Sequence, residues 1–131
     1  MKKKFLISIL LFAITAINLQ STVFAKTYNN ARKNAQVQEI SRTLDNFTMK
    51  IYTKSLFSPE ENEELIKIKT KLDNQLLLKK DTELALLYYK AGNLYKAREY
   101  KNEAAECYQT LINNFGGTIY AQKAKKELSS I

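Results

Sequence analysis

The stretch that decides the fold is residues 88–118, YYKAGNLYKAREYKNEAAECYQTLINNFGGT. Two runs of large and small apolar residues recur in it every three or four positions, on either side of a polar corner at residues 98–102. The first run is Tyr88, Ala91, Gly92 and Tyr95, and the second is Ala104, Tyr108 and Leu111. This spacing predicts two amphipathic helices. Gly92 and Ala104 are small where these helices are expected to cross closely, with the tyrosines and Leu111 filling the space beside them.

Helix boundaries follow from residues on either side of this stretch. Asp81 is expected to cap a helix over residues 82–98, because its carboxylate accepts bonds from free backbone amides. The next helix is expected to end at Gly116-Gly117, in the left-handed conformation that glycine adopts without strain. Thr118 then caps a fifth helix over residues 119–128.

The helix pair resembles the tetratricopeptide repeat (TPR), a 34-residue helix-turn-helix unit. The run over residues 104–124 is similar to TPR units of exported bacterial envelope proteins. The resemblance implies an all-α fold in which residues 82–128 form one TPR-like unit with a capping helix. A single repeat cannot bury both of its faces, so the preceding helices, or a second copy of the chain in a homodimer, must cover the other side.

Residues 26–80 predict an antiparallel helical hairpin. Apolar residues in each half recur at steps of three and four, as in a coiled coil. The first stripe is Val37, Ile40, Leu44, Phe47 and Ile51, and the second is Leu65, Ile68, Leu72, Gln75 and Leu76. Ser58-Pro59-Glu60-Glu61 marks the start of the second helix, with a capping serine, a proline at the first helical position and a glutamate at the third.

The N-terminal 25 residues have the three parts of a secretory signal peptide. Three lysines precede an apolar run over residues 5–17, and Val23-Phe24-Ala25 provides a cleavage site. The run is shorter than the roughly 20 residues that a membrane-spanning helix needs, which disfavours the alternative of an uncleaved anchor. We therefore expect residues 26–131 to be one helical domain, exported beyond the cytoplasmic membrane of a bacterium into the periplasm or the medium.

The composition excludes most familiar enzyme chemistry. The chain has no histidine and one cysteine, which removes Ser-His-Asp triads, the usual zinc sites and an internal disulfide. We expect no enzyme activity and no cofactor. Of 21 lysines and arginines, three lie in residues 1–25, so residues 26–131 carry 18 against 13 acidic residues, a net charge of +5. The basic residues are dispersed, which indicates a solvated surface and no nucleic-acid partner.

Three residues are the candidate partner-binding site. The first helix of a TPR unit lines a concave groove, and the resemblance places Tyr89, Asn93 and Lys96 on that face. Tyr89 offers a flat apolar surface, Asn93 pairs with an extended backbone and Lys96 attracts a carboxylate. The alternative interpretation is a solvated helix face with an incidental aromatic residue.

Other residues are interpreted structurally. The spacing of Tyr88 and Tyr95 indicates core positions in preference to a ligand cage. Cys107 is interpreted as a small apolar residue, with a redox-active or dimer-forming thiol as the alternative. The glutamates of residues 60–64 favour a helix N-terminus, and their successive positions point apart, unlike the ligands of a metal site.

These observations support two hypotheses about function. The first is a non-enzymatic adaptor that binds another envelope or secreted protein through the groove or the hairpin. The second is a secreted cationic protein that binds membranes or anionic cell-wall polymers. The second rests on an excess of positive charge in the first helix: Arg32, Lys33, Arg42, Lys50 and Lys54 against Glu39 and Asp45.

The signal-peptide pattern makes a direct prediction about processing. The exported protein is expected to begin at Lys26, which N-terminal sequencing of the periplasmic or secreted fraction will determine. A membrane-embedded product that retains Met1 would contradict cleavage.

Overall fold

The computed structural model describes the backbone of residues 2–131 and the side chains of residues 20–131. The described residues form five helices and no strand, which confirms the all-α prediction. The helices are α1 (Lys2–Tyr52), α2 (Pro59–Leu78), α3 (Thr82–Ala97), α4 (Lys101–Phe115) and α5 (Ile119–Leu128). Side chains of the apolar run at residues 5–17, on which the signal-peptide prediction depends, lie outside the described part.

The chain divides into two compact units, Met1–Ala35 and Gln36–Ile131. In the first unit, the described side chains, those of residues 20–35, are exposed apart from the half-buried Lys33. The second unit contains the hydrophobic core. Among the side chains of residues 20–131, no helix combines the length and the apolar character that a membrane crossing requires.

Within the second unit, α1 and α2 form the predicted antiparallel hairpin. Contacts between them join Lys50 to Glu61 and, at the other end, Gln36 to Gln75. The residue numbers of the contacting residues therefore increase along α2 as they decrease along α1, so the two helices are antiparallel. The apolar stripes face this contact, since Val37, Ile40, Leu44, Phe47, Leu65, Ile68 and Leu72 are all buried. Ile51 and Leu76 lie at its edge and are half-buried.

Helices α3 and α4 pack side by side. Helix α5 packs against both of them, and α2 packs against α3. The residues that the sequence analysis placed in the core of the α3–α4 pair are buried. A Cβ added to Gly92 would overlap the Tyr108 ring, at 2.8 Å from Cδ1 and 2.9 Å from Cζ. The sequence predicts a small residue at position 92 because of a close helix crossing with Ala104. The structure adds a second reason: the Tyr108 ring packs directly over Gly92 and leaves no room for a Cβ.

Three helix starts have the predicted caps. Ser58 and Glu61 form a reciprocal capping box: the Glu61 N–H donates to the Ser58 hydroxyl at 3.2 Å, and the Ser58 N–H donates to the Glu61 carboxylate at 2.8 Å. Asp81 accepts from the Glu83 N–H and Thr118 from the Ala121 N–H. Each cap satisfies amides that the first helical turn leaves without partners.

The helix ends differ from the prediction. Gly116 is right-handed, with φ −53° and ψ −25°, and no glycine has a positive φ, so the left-handed Gly116-Gly117 cap is wrong. The Thr118 hydroxyl and N–H both donate to the Phe115 carbonyl, which turns the chain directly into α5. The left-handed positions are Lys54 (φ 54°) and Glu99 (φ 65°).

Lys54 and Glu99 each terminate a helix in a Schellman motif. After α3, the Tyr100 N–H donates to the Tyr95 carbonyl at 2.9 Å and the Glu99 N–H to the Lys96 carbonyl at 3.1 Å. At the end of α1, the same pattern places Lys54 in the left-handed position, two residues after Tyr52. A residue with a Cβ is strained in this conformation, by about 1–2 kcal/mol relative to the right-handed one.

Replacing Glu99 by glycine is expected to stabilise the protein. Glycine removes the left-handed strain at the cost of some backbone entropy, so the free energy of unfolding is expected to rise by about 0.5–1 kcal/mol in a urea melt. The matched control is Gln122→Gly at an exposed position within α5, which is expected to lose about 0.5 kcal/mol. A loss of stability in Glu99→Gly would contradict the Schellman turn.

Candidate functional site

The three residues of the predicted groove lie on one face of α3, and α5 packs beside them. Tyr89 and Lys96 are half-buried, and Asn93 is exposed. Their side chains meet residues of α4 and α5, so the structure places them together with partners more than ten positions away in the chain. We call Tyr89, Asn93 and Lys96 the α3 face.

Tyr89 is part of an aromatic cluster. Its ring centroid lies 6.3 Å from that of Tyr108 and 6.0 Å from that of Tyr120, with tilted planes. The Lys123 ammonium lies 5.9 Å from the same ring. Aromatic pairs at these separations attract one another beyond the effect of area alone. Tyr89 is therefore a fixed, partly accessible surface between α3 and α5.

Asn93 is oriented by the core. The Tyr108 hydroxyl donates to Asn93 Oδ1 at 2.7 Å, and the Tyr108 side chain is fully buried. Burial is the largest cause of the raised pKa of Tyr108, so its hydroxyl remains a donor at physiological pH. This bond fixes the orientation of the exposed amide, with its Nδ2 donors on the side away from the Tyr108 hydroxyl.

Lys96 is held by the C-terminal helix. Its ammonium donates to Glu127 Oε2 at 2.9 Å and to Ser130 Oγ at 2.6 Å. Both charged side chains are about one-third exposed, so this ion pair contributes modestly to stability. Lys96 was predicted to attract the carboxylate of a ligand, but its ammonium is already paired with the carboxylate of Glu127 in the same chain. A partner carboxylate would compete with Glu127.

A polar network joins α2 to the α3–α4 pair. The Tyr88 hydroxyl donates to Asp73 Oδ1 at 2.6 Å. The Tyr95 hydroxyl donates to the Leu65 carbonyl at 2.6 Å and accepts from the Lys69 N–H at 3.1 Å. Both tyrosines are completely buried, which confirms them as core residues, and burial raises the pKa of each.

Lys69 completes this network at the surface. Its ammonium lies 2.7 Å from Asp73 Oδ2 and 3.3 Å from Glu106 Oε2. Burial acts to lower the pKa of Lys69, but its interactions with Asp73 and Glu106 outweigh burial and raise it. Lys69 and Asp73 were not among the predicted site residues, because both lie beside the apolar stripe of α2, at positions typical of a solvated helix face.

Cys107 is enclosed beside this network. It is a free thiol with no exposed surface, and burial raises its pKa to about 12. The reactive form of cysteine is the thiolate, so a thiol that remains protonated at neutral pH is a poor nucleophile. The structure agrees with the interpretation of Cys107 as a small core residue.

The glutamates at the start of α2 interact with nearby donors. Glu61 and Glu64 pair with Lys50 and Lys71 across 2.6 Å each, and Glu60 accepts from the Ser58 hydroxyl. The hydrogen bond from Lys50 is the largest cause of the lowered pKa of Glu61. Within the described side chains, no group of three or more acidic or cysteine residues is arranged to hold a metal ion.

A second surface, which sequence analysis missed, lies at the open end of the α1–α2 hairpin. A cleft of about 370 Å³ runs between residues 36–40 of α1 and residues 71–78 of α2. We call it the hairpin cleft. Gln75 lines it and is only 5% exposed, and its Nε2 donates to Gln36 Oε1 at 2.9 Å. Gln75 Oε1 is buried without a hydrogen-bond partner.

An orphaned buried acceptor is costly for folding. Such a group loses its hydration and regains no bond, at a cost of about 1–3 kcal/mol. The sequence signal was visible as a glutamine within an apolar stripe, but periodicity alone cannot show that one amide atom lacks a partner. The other buried orphan in the described side chains is Nε of Arg98, whose guanidinium stacks 4.4 Å from the Phe57 ring centroid.

In comparisons with known proteins, no family model, no curated protein and no solved structure matches the chain.

The position of Asn93 depends on the space that Gly92 leaves for Tyr108. Gly92→Ala is expected to lower the free energy of unfolding by about 1–2 kcal/mol, because overlap with the buried ring outweighs the better helix propensity of alanine. In a Tyr108→Leu background the ring is absent, and Gly92→Ala is expected to become neutral or to stabilise by up to about 1 kcal/mol. An equal loss in both backgrounds, measured by urea melts, would contradict this packing.

Proposed function

We propose that the chain is a non-enzymatic, TPR-like adaptor, exported beyond the cytoplasmic membrane, that binds another envelope or secreted protein through the α3 face. The observation that carries the proposal is the exposed Asn93 amide, held in one orientation by a buried tyrosine hydroxyl. A side chain fixed in this way loses less entropy when it binds a ligand. It can donate to a backbone carbonyl of an extended segment.

The neighbours of Asn93 suit a polypeptide ligand. Tyr89 adds a partly accessible aromatic surface on one side, and aromatic residues are common anchors at protein interfaces. Lys96 and Glu127 form a paired charge on the other side, where a polar rim is expected. An aromatic anchor beside polar and charged groups is a common composition of a protein-binding patch.

The cationic alternative loses part of its support. It depends on an excess of positive charge along α1, but the Lys50 ammonium is bound to Glu61 and lies 5.8 Å from the Phe57 ring centroid. Arg32 and Arg42 remain exposed. Binding to anionic vesicles or cell-wall polymers is therefore the competing outcome of the test.

Asn93→Asp tests the adaptor proposal because it separates the two functions of the amide. Aspartate keeps an oxygen to accept the Tyr108 hydroxyl and removes the Nδ2 donors. Asn93→Ala is less informative, since it would leave the buried hydroxyl without its acceptor and cost about 1 kcal/mol. The matched control is Asn102→Asp, which makes the same change at an exposed position of α4.

The tagged protein and both variants are incubated with the envelope fraction of the native organism, and the retained proteins are quantified by mass spectrometry. The wild type and Asn102→Asp are expected to retain the same partner, and Asn93→Asp about tenfold less, with an unchanged melting temperature. Equal recovery by all three would place the interface elsewhere. Vesicle binding that falls in Arg32→Gln/Arg42→Gln, with no protein retained, would support the cationic alternative.

A further inference from the structure

Two contacts fix the register of α5 against α3. The Tyr89 ring centroid lies 6.0 Å from that of Tyr120, and the Lys96 ammonium lies 2.9 Å from the Glu127 carboxylate. Both pairs are separated by 31 residues, so the two helices run parallel along this face. Each level of the α3 face therefore has a counterpart on α5.

Lys123 is the α5 residue close to the level of Asn93. It lies three residues after Tyr120 in α5, and Asn93 lies four residues after Tyr89 in α3. The Lys123 side chain is exposed, and its ammonium lies 5.9 Å from the centroid of the Tyr89 ring. A cation at this distance is attracted by the face of the ring. Asn93 and Lys123 thus border the same part of the surface between α3 and α5.

Lys123 is also the lysine of this surface that the fold leaves without a carboxylate. Lys96 is paired with Glu127, and Lys90, also on α3, is paired with Asp45 at 2.6 Å. Among the side chains of residues 20–131, no carboxylate forms an ion pair with Lys123. The charge that remains on this surface after internal pairing is therefore positive, and it selects an anionic ligand group.

Lys96 keeps a competing carboxylate away from Lys123. Glu127 lies four residues after Lys123 on α5, a spacing at which opposite charges pair along a helix. In the structure Glu127 accepts from Lys96 instead. Lys96 thus acts on the surface through Glu127, as a positioning residue.

We propose that Lys123 binds the side-chain carboxylate of an aspartate or glutamate in the partner segment, and that Lys96 keeps it available by holding Glu127. The Asn93 Nδ2 group donates to the backbone of that segment. Side chains of an extended segment alternate between its two faces, so the residue two positions from the acidic one lies on the Tyr89 ring. This proposal rests on the adaptor function of the α3 face and adds the chemistry of the partner and the residue that selects it.

The direct test uses the capped peptide acetyl-Leu-Ala-Glu-Ala-Leu-amide, which has no terminal charge, titrated into the ¹⁵N-labelled protein and followed by NMR. The side-chain amide resonances of Asn93 are expected to shift and to saturate, with a Kd in the millimolar range that suits a short peptide. The matched peptide has glutamine in place of glutamate. It is expected to bind about fivefold more weakly, and added salt is expected to reduce the difference.

Charge-neutralising variants of α5 connect this preference to one residue. Lys123→Gln is expected to lower the affinity for the glutamate peptide about fivefold and to leave the affinity for the glutamine peptide unchanged. Lys125→Gln makes the same change at another exposed position of α5 and is the matched control. It is expected to bind both peptides as the wild type does.

A rescue experiment separates the positioning role of Lys96 from direct binding. Lys96→Gln is expected to weaken binding of the glutamate peptide about two- to threefold, because Glu127 is released to pair with Lys123. Adding Glu127→Gln is expected to restore the affinity of the wild type. If Lys96 bound the ligand carboxylate itself, the double variant would remain as weak as Lys96→Gln.

Four results would overturn the proposal: shifts that do not saturate, equal affinity for the two peptides, a glutamate preference that persists in Lys123→Gln, or no rescue by Glu127→Gln. The adaptor function is judged separately, by the partner that Asn93→Asp fails to retain from the envelope fraction. A partner that Lys123→Gln retains fully and Asn93→Asp loses would support the adaptor function and overturn the selection of an acidic residue.

Discussion

The rest of the structure depends on the hydroxyl of Tyr95. It bridges the Leu65 carbonyl and the Lys69 N–H, two backbone groups separated by one turn of α2. Burying a phenol hydroxyl is unfavourable unless it finds partners, and these two bonds require that α2 lie at one position along α3. Tyr88 adds a second constraint of the same kind through Asp73. A helix pair that cannot bury both of its faces thereby acquires a hairpin in a fixed register.

Local signals made much of the fold predictable. The periodicity of the apolar residues identified the buried faces of α1, α2, α3 and α4. Ser58, Asp81 and Thr118 marked three helix starts, because a capping side chain acts within three residues. Helix ends were less predictable. The left-handed turns use Lys54 and Glu99, which carry no sequence signal, while Gly116 stays right-handed. The direction of the next helix decides these turns, and that direction is set by packing distant in sequence.

The same distinction applies to the candidate sites. Helical spacing placed Tyr89, Asn93 and Lys96 on one face, but their partners in α4, in α5 and in the residues after α5 are up to 34 residues away. Periodicity within one helix cannot show that Glu127 and Ser130 reach Lys96, or that Tyr120 lies beside Tyr89. The hairpin cleft was missed for a related reason, since it depends on Gln36 and Gln75 meeting across two helices.

The buried polar groups of the core differ in how fully the fold satisfies them. The hydroxyls of Tyr88, Tyr95 and Tyr108 all have partners, so the core gives up little by burying them. Gln75 Oε1 does not, although an apolar residue at this position would remove the cost and complete the stripe. Gln75 nevertheless has a structural role, because its Nε2 donates to Gln36 Oε1 and so helps to fix the register of α1 against α2.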